Sequence, residues 1–576
     1  MPPPPLTLSN PLTTMPLTIY ESELPAPYLP QISIFDYILP GLQGVSPLQE
    51  FDPSLPAFID GRDGTTLTRA GLRDLALRLA GGLRALGIRR GDVAGVWGYN
   101  SLEWVNAAYG CLAAGVVVSP ANYAYAPAEV AHQLNDSGSS AVFVDPELLP
   151  NFEKAREHLS RPLPPSRVIL LCRPEHKPAN SPYKCLAEIL ADPVEPEHFD
   201  GVASNETAWM SYSSGTTGLP KGVMTTHFNF TSQLQANNCS YHLDCGPNGD
   251  VVLGFLPMSH IYGLTISLLQ PLTFGAPVVV LPRFDEIPVL EAIQKYKVTH
   301  GLLVPPLILR FLHSPNTAKY DISSMRTIMS GGAPLSPELA AAFEKKFPGC
   351  VSIQGYGMTE TTPGITAMKR ADVLAGGRQG WVGRLLPTYQ ARLVLPDGTD
   401  AARGAPGELW VRGPSVMKGY HNNAAATAET MALGGWFRTG DVLVRDEHGW
   451  YKVVDRVKEL IKYKGFQVAP AELEALLLTH PRLVDAGVVG VYDAAEVTEM
   501  PRAYVVAAES VGKGEYEALV KDVQAWVAAR VAQHKKLRGG VVVVDAIPKS
   551  PSGKILRKDL RKRAQAEYES KAAARL

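Results

Sequence analysis

Cysteine is scarce in this sequence, which excludes the sites that clustered cysteines build. The 576 residues include six cysteines, and none of them forms a C-x-x-C pair. The spacing therefore does not predict a zinc site. Thiols scattered in this way along a long chain are typical of a reduced, intracellular protein.

Excess charge and long apolar runs are also missing. The formal net charge is −1, and basic residues concentrate only near the end of the chain, so the charge predicts no nucleic-acid partner. The longest apolar stretches, such as residues 275–281, are too short to cross a bilayer. Residues 1–5 read Met-Pro-Pro-Pro-Pro and lack the pattern of a secretory signal. We therefore expect a soluble protein without a transmembrane segment.

What is present is a globular composition in a chain too long for one hydrophobic core. Hydrophobic residues make up 45% and charged residues 19% of the sequence, and 576 residues predict two or more domains. We place a Pro-rich extension at residues 1–30, a large domain at residues 31–456 and a small domain at residues 457–576.

The pattern of apolar residues predicts the fold class. Leucines from Leu72 to Leu86 recur at helical spacing before Gly87, which ends the helix. Short apolar runs, such as residues 141–144 and 327–329, alternate with helical patterns. This alternation predicts an α/β large domain of layered, largely parallel sheets and helices. The pattern after about residue 454 predicts a compact α+β unit.

A glycine- and hydroxyl-rich string suits the binding of a polyphosphate. Glycines allow a tight turn that directs backbone N–H groups at phosphate oxygens, while hydroxyls and a lysine add donors and positive charge. The spacing differs from the Walker pattern. The candidate residues are Ser213, Ser214, Gly215, Thr216, Thr217, Gly218 and Lys221.

This ordered string resembles the signature loop of the adenylate-forming superfamily, which includes acyl-CoA synthetases, 4-coumarate–CoA ligases, beetle luciferases and adenylation domains of peptide synthetases. The likeness continues over roughly residues 60–560, and the local sequence is most similar to the 4-coumarate–CoA ligase-like branch. The resemblance implies ATP, Mg²⁺ and coenzyme A as cofactors and a small-molecule carboxylic acid as substrate. It also implies that the large domain binds ATP and the acyl group, and that the small α+β domain is mobile.

The resemblance assigns the nucleotide site to three further segments. Tyr356 is expected to pack against adenine, Thr359 to meet the α-phosphate and Glu360 to hold Mg²⁺, which prefers carboxylate oxygens. Asp441 is expected to accept hydrogen bonds from the ribose hydroxyls. The remaining nucleotide contacts implied are Gly332, Ala333, Pro334, Gln354, Gly355, Gly357 and Met358.

By the same resemblance, His260 lies near the reacting carboxylate and Tyr262 shapes the acyl pocket. Gly332, Gly355, Pro363 and Gly364 would line that pocket. Small residues there indicate an aromatic or medium- to long-chain acid. Trp410 differs from the residue expected in the plant-type ligases, so specificity for 4-coumarate stays open.

The small domain contributes two basic segments by resemblance. The first begins at Arg456, the last residue of the large domain, which binds nucleotide hydroxyls, and Lys458 is the hinge. Lys462 and Gln467 approach the adenylate, and Lys464 and Gly465 border the pantetheine arm of coenzyme A. In the second, Lys554 neutralises charge at the α-phosphate as pyrophosphate leaves. The expected mechanism is adenylation of the acid, rotation about Lys458, and transfer of the acyl group to coenzyme A.

Three alternatives stay open at this point. A luciferase-like monooxygenase shares nearly all of these motifs. An adenylation enzyme could load a carrier protein, although no carrier motif follows. A non-catalytic nucleotide sensor is disfavoured by the presence of Lys221, Glu360, Asp441 and Lys554.

The last three residues, Ala-Arg-Leu at 574–576, resemble a peroxisomal address of the Ser-Lys-Leu type. They predict recognition by a peroxisomal import receptor; without it, the protein is expected in the cytoplasm. The sequence predicts no oligomeric state.

Overall fold

The structure is a computed structural model. It describes residues 17–40, 51–213, 220–241, 249–332, 335–376, 379–456, 459–464, 466–493, 496, 498–549 and 553–573. Along these residues, no helix combines the length and the apolar character that crossing a membrane requires.

The strands up to residue 385 are mostly short and hydrophobic. They are β1 (Tyr20–Glu21), β2 (Pro56–Asp60), β3 (Thr66–Thr68), β4 (Val93–Trp97), β5 (Val117–Ala121), β6 (Ala141–Val144), β7 (Val168–Leu170), β8 (Lys184–Cys185), β9 (Thr207–Ser213), β10 (Lys221–Thr226), β11 (Val252–Gly254), β12 (Val278–Val280), β13 (His300–Leu303), β14 (Thr327–Ser330), β15 (Val351–Gly357), β16 (Gly364–Ala367) and β17 (Arg384–Leu385).

The later strands include the longest strands in the described part of the chain. They are β18 (Gln390–Val394), β19 (Gly407–Arg412), β20 (Gly419–Tyr420), β21 (Met431–Ala432), β22 (Trp436–Arg445), β23 (Tyr451–Arg456), β24 (Ile461–Tyr463), β25 (Phe466–Val468), β26 (Leu483–Asp493), β27 (Thr498–Ala507) and β28 (Gly540–Val543).

Helices alternate with these strands along most of the chain. They are α1 (Ile34–Ile38), α2 (Arg69–Ala85), α3 (Leu102–Ala113), α4 (Pro127–Asp136), α5 (Leu149–Arg156), α6 (His227–Tyr241), α7 (Ile261–Gly263), α8 (Gln270–Phe274), α9 (Glu286–Tyr296), α10 (Pro305–His313), α11 (Pro337–Lys346), α12 (Arg370–Leu374), α13 (Ala424–Thr430), α14 (Pro470–Leu477), α15 (Tyr516–Ala528) and α16 (Arg557–Ala573).

Helix α2 shows how the local sequence sets an element's ends. The Thr68 side chain accepts a hydrogen bond from the Gly71 N–H and caps the start. After the helix, Gly87 takes a φ of 74°, a left-handed conformation that favours glycine. The helix predicted before Gly87 is confirmed.

Two large sheets form the body of the molecule. One has the strand order β20-β10-β9-β5-β4-β6-β7-β8, and the other β17-β16-β15-β14-β13-β11-β12-β2-β3. The central strands of both sheets are parallel, and antiparallel pairs occur toward the ends. A shared core that includes the fully buried Trp104 and Trp209 covers their faces. The predicted layers of largely parallel sheets are confirmed.

A third sheet is antiparallel, which the sequence analysis did not separate from the parallel layers. It follows the order β1-β18-β19-β22-β21, with β23 paired to β22. On it, Trp410 lies between the guanidinium groups of Arg392, 5.5 Å from the ring centroid, and Arg438, 4.7 Å away. Trp410 therefore contributes to cross-strand packing in this sheet.

The C-terminal part has its own core. Strands β26, β27 and β28 form a three-stranded sheet, against which α14, α15 and α16 pack. Strands β24 and β25 form a separate hairpin. The α+β unit predicted after about residue 454 is confirmed, whereas its boundary at residue 457 stays a prediction, because residues 457 and 458 lie outside the described ranges.

Candidate active site

The site lies where four neighbouring parallel strands end. Strands β11, β13, β14 and β15 are adjacent in one sheet, and their carboxyl ends share one edge. Ligands of open α/β sheets bind at this edge because the strand-to-helix loops converge there. His260 and Tyr262 follow β11, Gly332 follows β14, and Tyr356 and Glu360 lie at or after the end of β15.

Tyr356, Asp441 and Arg456 form one connected group. The Tyr356 hydroxyl donates to Asp441 Oδ2 at 2.6 Å, and Arg456 Nε lies 3.0 Å from Asp441 Oδ1. The antiparallel register places Asp441 of β22 opposite Arg456 of β23. Burial, together with the neighbouring Asp441 carboxylate, raises the pKa of Tyr356 well above its ordinary value, so the phenol keeps its proton. The group presents a flat ring beside a carboxylate and a guanidinium.

Glu360 is held from the side of the glycine-rich loop. The Tyr420 hydroxyl donates to Glu360 Oε1 at 2.9 Å, and the Met417 N–H donates to the Glu360 carbonyl oxygen at 2.8 Å. Tyr420 also lies under the Lys221 ammonium, which is 5.0 Å from its ring centroid. One aromatic side chain thus brings the loop's lysine and the carboxylate after β15 to the same place. Tyr420 was missed by the sequence analysis, since a lone tyrosine carries no spacing signal.

The backbone after Glu360 is held by a buried amide that the sequence analysis also missed. The carbonyl oxygens of Thr361 and Gly364 both face the Gln233 side chain, so its amide nitrogen must point at them, and it donates at 3.2 and 3.1 Å. A Cβ at Gly364 would lie 2.8 Å from the other terminal atom of this amide, which is its oxygen in this orientation. Gly364 therefore keeps the loop close to helix α6.

The side of the site predicted to bind the acyl group contains His260 and Tyr262. His260 Nδ1 accepts a hydrogen bond from the Tyr262 N–H at 3.3 Å, and the Tyr262 hydroxyl donates to the Met329 carbonyl at 2.8 Å. A Cβ at Gly331 would lie 3.2 Å from the Tyr262 ring. Burial, and then the charge of Lys554, lower the pKa of His260 to about 4. The imidazole is therefore neutral at pH 7 and can donate or accept a hydrogen bond.

Lys554 reaches this site from the C-terminal unit. Its neighbour Gly553 has a φ of 79°, and a Cβ there would lie 3.3 Å from Val304 Cγ2, just after β13. Burial, and then the Arg456 charge, lower the pKa of Lys554 to about 8, while the carboxylates of Asp441, Glu459 and Glu360 oppose the shift. The electrostatic surroundings of Lys554 thus include Glu360, just after β15, and Asp441 and Arg456 of the antiparallel sheet.

The other basic segment of the C-terminal unit points elsewhere. Lys462 and Gln467 are opposite each other in the β24–β25 hairpin, and Lys462 is exposed. Lys464 is also exposed and its Nζ lies 2.5 Å from Glu496 Oε2, a residue of the same unit. The Lys462 N–H donates to Glu499 at 2.7 Å. The structure therefore brings Lys554 to the pocket and leaves this hairpin against its own unit.

Comparison with known proteins identifies the family. Residues 49–421 match the family described as AMP-binding enzyme, and residues 472–554 match the AMP-binding enzyme C-terminal domain. The chain belongs to the AMP-binding enzyme family. The resemblance to the adenylate-forming superfamily is thereby confirmed, as is the prediction of an enzyme.

Curated relatives of this AMP-binding enzyme are CoA ligases. It is 39% identical over 508 residues to peroxisomal OPC-8:0-CoA ligase 1 of Arabidopsis thaliana, covering 88% of this chain and 90% of the relative. It is 37% identical over 558 residues to 4-coumarate–CoA ligase 1 of the same plant, covering 94% and 95%. These likenesses place the enzyme among the AMP-forming acid–thiol ligases.

Solved structures show the same architecture. The ATP-bound MatB from Rhodopseudomonas palustris superposes with a TM-score of 0.79 at 26% identity, covering 93% of this chain and 99% of that one. The predicted fold class, a large N-terminal domain with a small C-terminal domain, is confirmed.

Other predicted residues of this AMP-binding enzyme fall near the same edge. Ser213 ends β9 opposite Lys221 of β10, and the buried Gln354 accepts from the Leu335 N–H at 3.2 Å. Gly355 and Gly357 lie in β15, and Met358, Thr359 and Pro363 follow it. Several predicted residues lie outside the described ranges, namely Ser214, Gly215, Thr216, Thr217, Gly218, Ala333, Pro334, Lys458 and Gly465. For Gln467 the structure describes the strand but not the side chain.

Proposed function

We propose that the protein is an ATP-dependent acyl-CoA ligase that works through an acyl-adenylate. One observation carries this: Lys554 of the C-terminal unit is located among His260, Glu360, Asp441 and Arg456 of the pocket. A cation delivered there opposes the charge that builds when a carboxylate approaches a phosphate. The small domain would begin at residue 457, after a large domain over residues 31–456.

In the first step, an oxygen of the substrate carboxylate attacks the α-phosphorus of ATP, and the bond to the pyrophosphate oxygen breaks. Two anions must meet, so positioning and charge neutralisation dominate. Lys221 and Lys554 supply positive charge, and Asp441 accepts hydrogen bonds from the ribose. Thr359, together with the hydroxyls at residues 214, 216 and 217, would contact phosphate, and Tyr356 would pack against adenine.

The residues present are compatible with magnesium. Glu360 offers one buried carboxylate, already oriented by Tyr420, and Mg²⁺ is often held by one or two carboxylates completed by substrate phosphates. Among the described residues, no group of three or more His, Cys, Asp or Glu side chains could hold a metal alone. When bound, the ion would screen the phosphate charges.

In the second step, the small domain would turn about Lys458, so that Lys554 leaves and the Lys462–Gln467 hairpin enters. Coenzyme A would pass Lys464 and Gly465. Its thiolate attacks the acyl carbonyl of the mixed anhydride, the bond to the phosphate oxygen breaks, and AMP leaves with the electron pair. The neutral His260 lies on the acyl side, where it can hold a carboxylate or carbonyl oxygen.

The substrate is proposed to be an aromatic or medium- to long-chain acid. Two relatives are named for 4-coumarate, an aromatic acid, and for OPC-8:0. The Tyr262 ring and the small residues Gly332, Gly355 and Gly364 would form the pocket wall, with Pro363. The Ala-Arg-Leu at residues 574–576 lies outside the described ranges, and peroxisomal delivery stays a prediction.

The test is a pyrophosphate-release screen over aromatic, medium-chain and long-chain acids with Mg²⁺ and ATP, with and without coenzyme A. We expect AMP and an acyl-CoA thioester with at least one acid. Oxygen uptake or light with a luciferin would favour the luciferase-like alternative, and preference for a phosphopantetheinyl carrier would favour carrier loading. Absence of AMP with every acid would contradict the proposal.

A further inference from the structure

A chain of charged contacts runs from the nucleotide pocket to the base of the lysine loop. Beyond the pair of Tyr356 and Asp441, Arg456 continues to Glu459, with Nη1 3.7 Å from Oε1. Glu459 continues to Arg557, with Nη1 2.9 Å from Oε2. Each oxygen of the Glu459 carboxylate thus faces a different guanidinium.

Arg557 stands directly at the base of the segment that carries Lys554. It is the first residue of α16 and follows Lys554 by three positions. The segment is closed by a bridge between Lys549 and Ile555 and by a hydrogen bond from the Leu556 N–H to the Pro548 carbonyl. Displacing the Arg557 side chain would therefore shift the backbone from which Lys554 projects.

Burial makes these contacts strong. The side chains of Glu459 and Arg557 are 12% and 14% exposed, so their charges are weakly screened by solvent. Glu459 also lies next to the joint, since its N–H donates to the Arg456 carbonyl at 3.0 Å. It is therefore placed where the C-terminal unit meets the antiparallel sheet.

We propose that Glu459 is a positioning residue that holds Lys554 at the ATP site, by sharing its carboxylate between Arg456 of the pocket and Arg557 at the base of the lysine loop. This inference rests on the proposed function, because it gives Lys554 its role in adenylation. Glu459 touches neither substrate in this arrangement; it acts through the two arginines.

Glu474 provides a matched control. It contacts the same guanidinium, at 2.5 Å from Arg557 Nη2, and it is equally buried. Its other oxygen accepts from the Val488 N–H at 2.8 Å, inside the C-terminal unit. Glu474→Gln and Glu459→Gln therefore each weaken one ion pair with Arg557, but only Glu459→Gln breaks the connection to Arg456.

The experiment measures the two half-reactions separately in the full-length enzyme. Pyrophosphate formation from ATP and acid reports adenylation, and thioester formation from synthetic acyl-adenylate and coenzyme A reports transfer. For Glu459→Gln we expect adenylation to fall about tenfold or more, with transfer within about twofold of wild type. For Glu474→Gln we expect a lower melting temperature and an unchanged ratio of the two rates.

Equal loss of both half-reactions in the two variants would overturn the proposal and make Glu459 a purely structural residue. Wild-type adenylation in Glu459→Gln would also overturn it. If Glu459→Gln does not fold, Glu459→Asp carries the test, since its shorter carboxylate cannot reach both arginines and the same selective loss is expected. Failure of the proposed function is recognised separately, because the wild-type enzyme would then form no AMP with any acid.

Discussion

The lysine loop and the β24–β25 hairpin belong to the same C-terminal unit, yet they differ in their surroundings. Lys554 is partly buried beside the pocket groups, whereas Lys462 is exposed and Lys464 pairs with Glu496. The sequence analysis had assigned both segments to the active site by resemblance. Under the proposed function, this is the arrangement suited to adenylation, and a second arrangement would serve transfer.

Repulsion between like charges explains why the two basic segments do not occupy the pocket together. The Lys554 ammonium lies near the carboxylates of Asp441, Glu459 and Glu360, but burial, and then the charge of Arg456, lower its pKa. If the hairpin lysines also entered the pocket around Lys554, more like charges would lie in a poorly solvated site. The electrostatic cost would be on the order of several kcal/mol. The proposed exchange of one basic segment for the other would avoid this repulsion.

The largest expected effect comes from removing the pocket lysine. Lys554→Ala should lower pyrophosphate formation by roughly 100-fold or more, because the cation that opposes charge at the α-phosphate is lost. Thioester formation from supplied acyl-adenylate should continue. Gly465→Trp should give the reverse pattern, with adenylation kept and transfer lost, because a large side chain would obstruct the thiol's path.

Both rates should be measured on both purified variants, with circular dichroism as the control for folding. If each folded variant loses both half-reactions, the division of labour between the two segments is wrong.

The second effect is a pH dependence confined to one half-reaction. Lys554 has a pKa of about 8, lowered chiefly by burial, and only its protonated form carries the charge. The kcat/KM for adenylation should therefore fall as pH rises through about 8, approaching tenfold per pH unit. Transfer from supplied acyl-adenylate should lack this decline.

Lys554→Arg is the control, because a guanidinium stays protonated throughout this range. The Lys554→Arg variant should adenylate more slowly than wild type. Its kcat/KM should not show the decline through about pH 8, because the guanidinium keeps its proton between about pH 7 and 10. The same decline in Lys554→Arg would assign it to another group.

The smallest expected effect is on stability, at the joint between the large and small domains. Asp455 is buried, its Oδ1 accepts from the Arg456 N–H at 2.6 Å, and burial is the main reason that its pKa is raised to about 7. The folded state therefore prefers the protonated carboxyl, and wild-type stability should fall as pH rises from about 4 to about 7. Asp455→Asn should remove this loss.

Denaturant unfolding at about pH 4.5 and about pH 7.5, on either side of most of the transition, measures the effect. We expect Asp455→Asn to gain roughly 1–3 kcal/mol relative to wild type at the higher pH and much less at the lower one. A gain that does not change with pH would mean that the carboxyl titrates normally.

Local patterns were sufficient for much of the fold. Strand β6 was predicted with its observed bounds, and α2 begins at its Thr68 cap, because apolar periodicity and capping depend on near neighbours. The antiparallel sheet was missed, since pairing such as that of Asp441 with Arg456 depends on register between distant strands.

The same distinction applies to the site. Tyr356, Glu360, Asp441 and Lys554 were found by motif, and the structure brings them together. Tyr420 stands in no motif, and Glu459 lies within the basic segment that begins at Arg456 but was assigned no role there. Each acquires its importance from contacts with residues brought near by folding.

The amino-acid sequence was sufficient to predict the family, the order of the elements and the residue types available for binding ATP, because ordered motifs and periodicity are properties of the chain. Only the tertiary structure decided that Lys554, not Lys462, lies at the pocket and that Glu459 links Arg456 to Arg557. The reason is that charges interact through distance and burial, and both are set by packing between segments far apart in the chain.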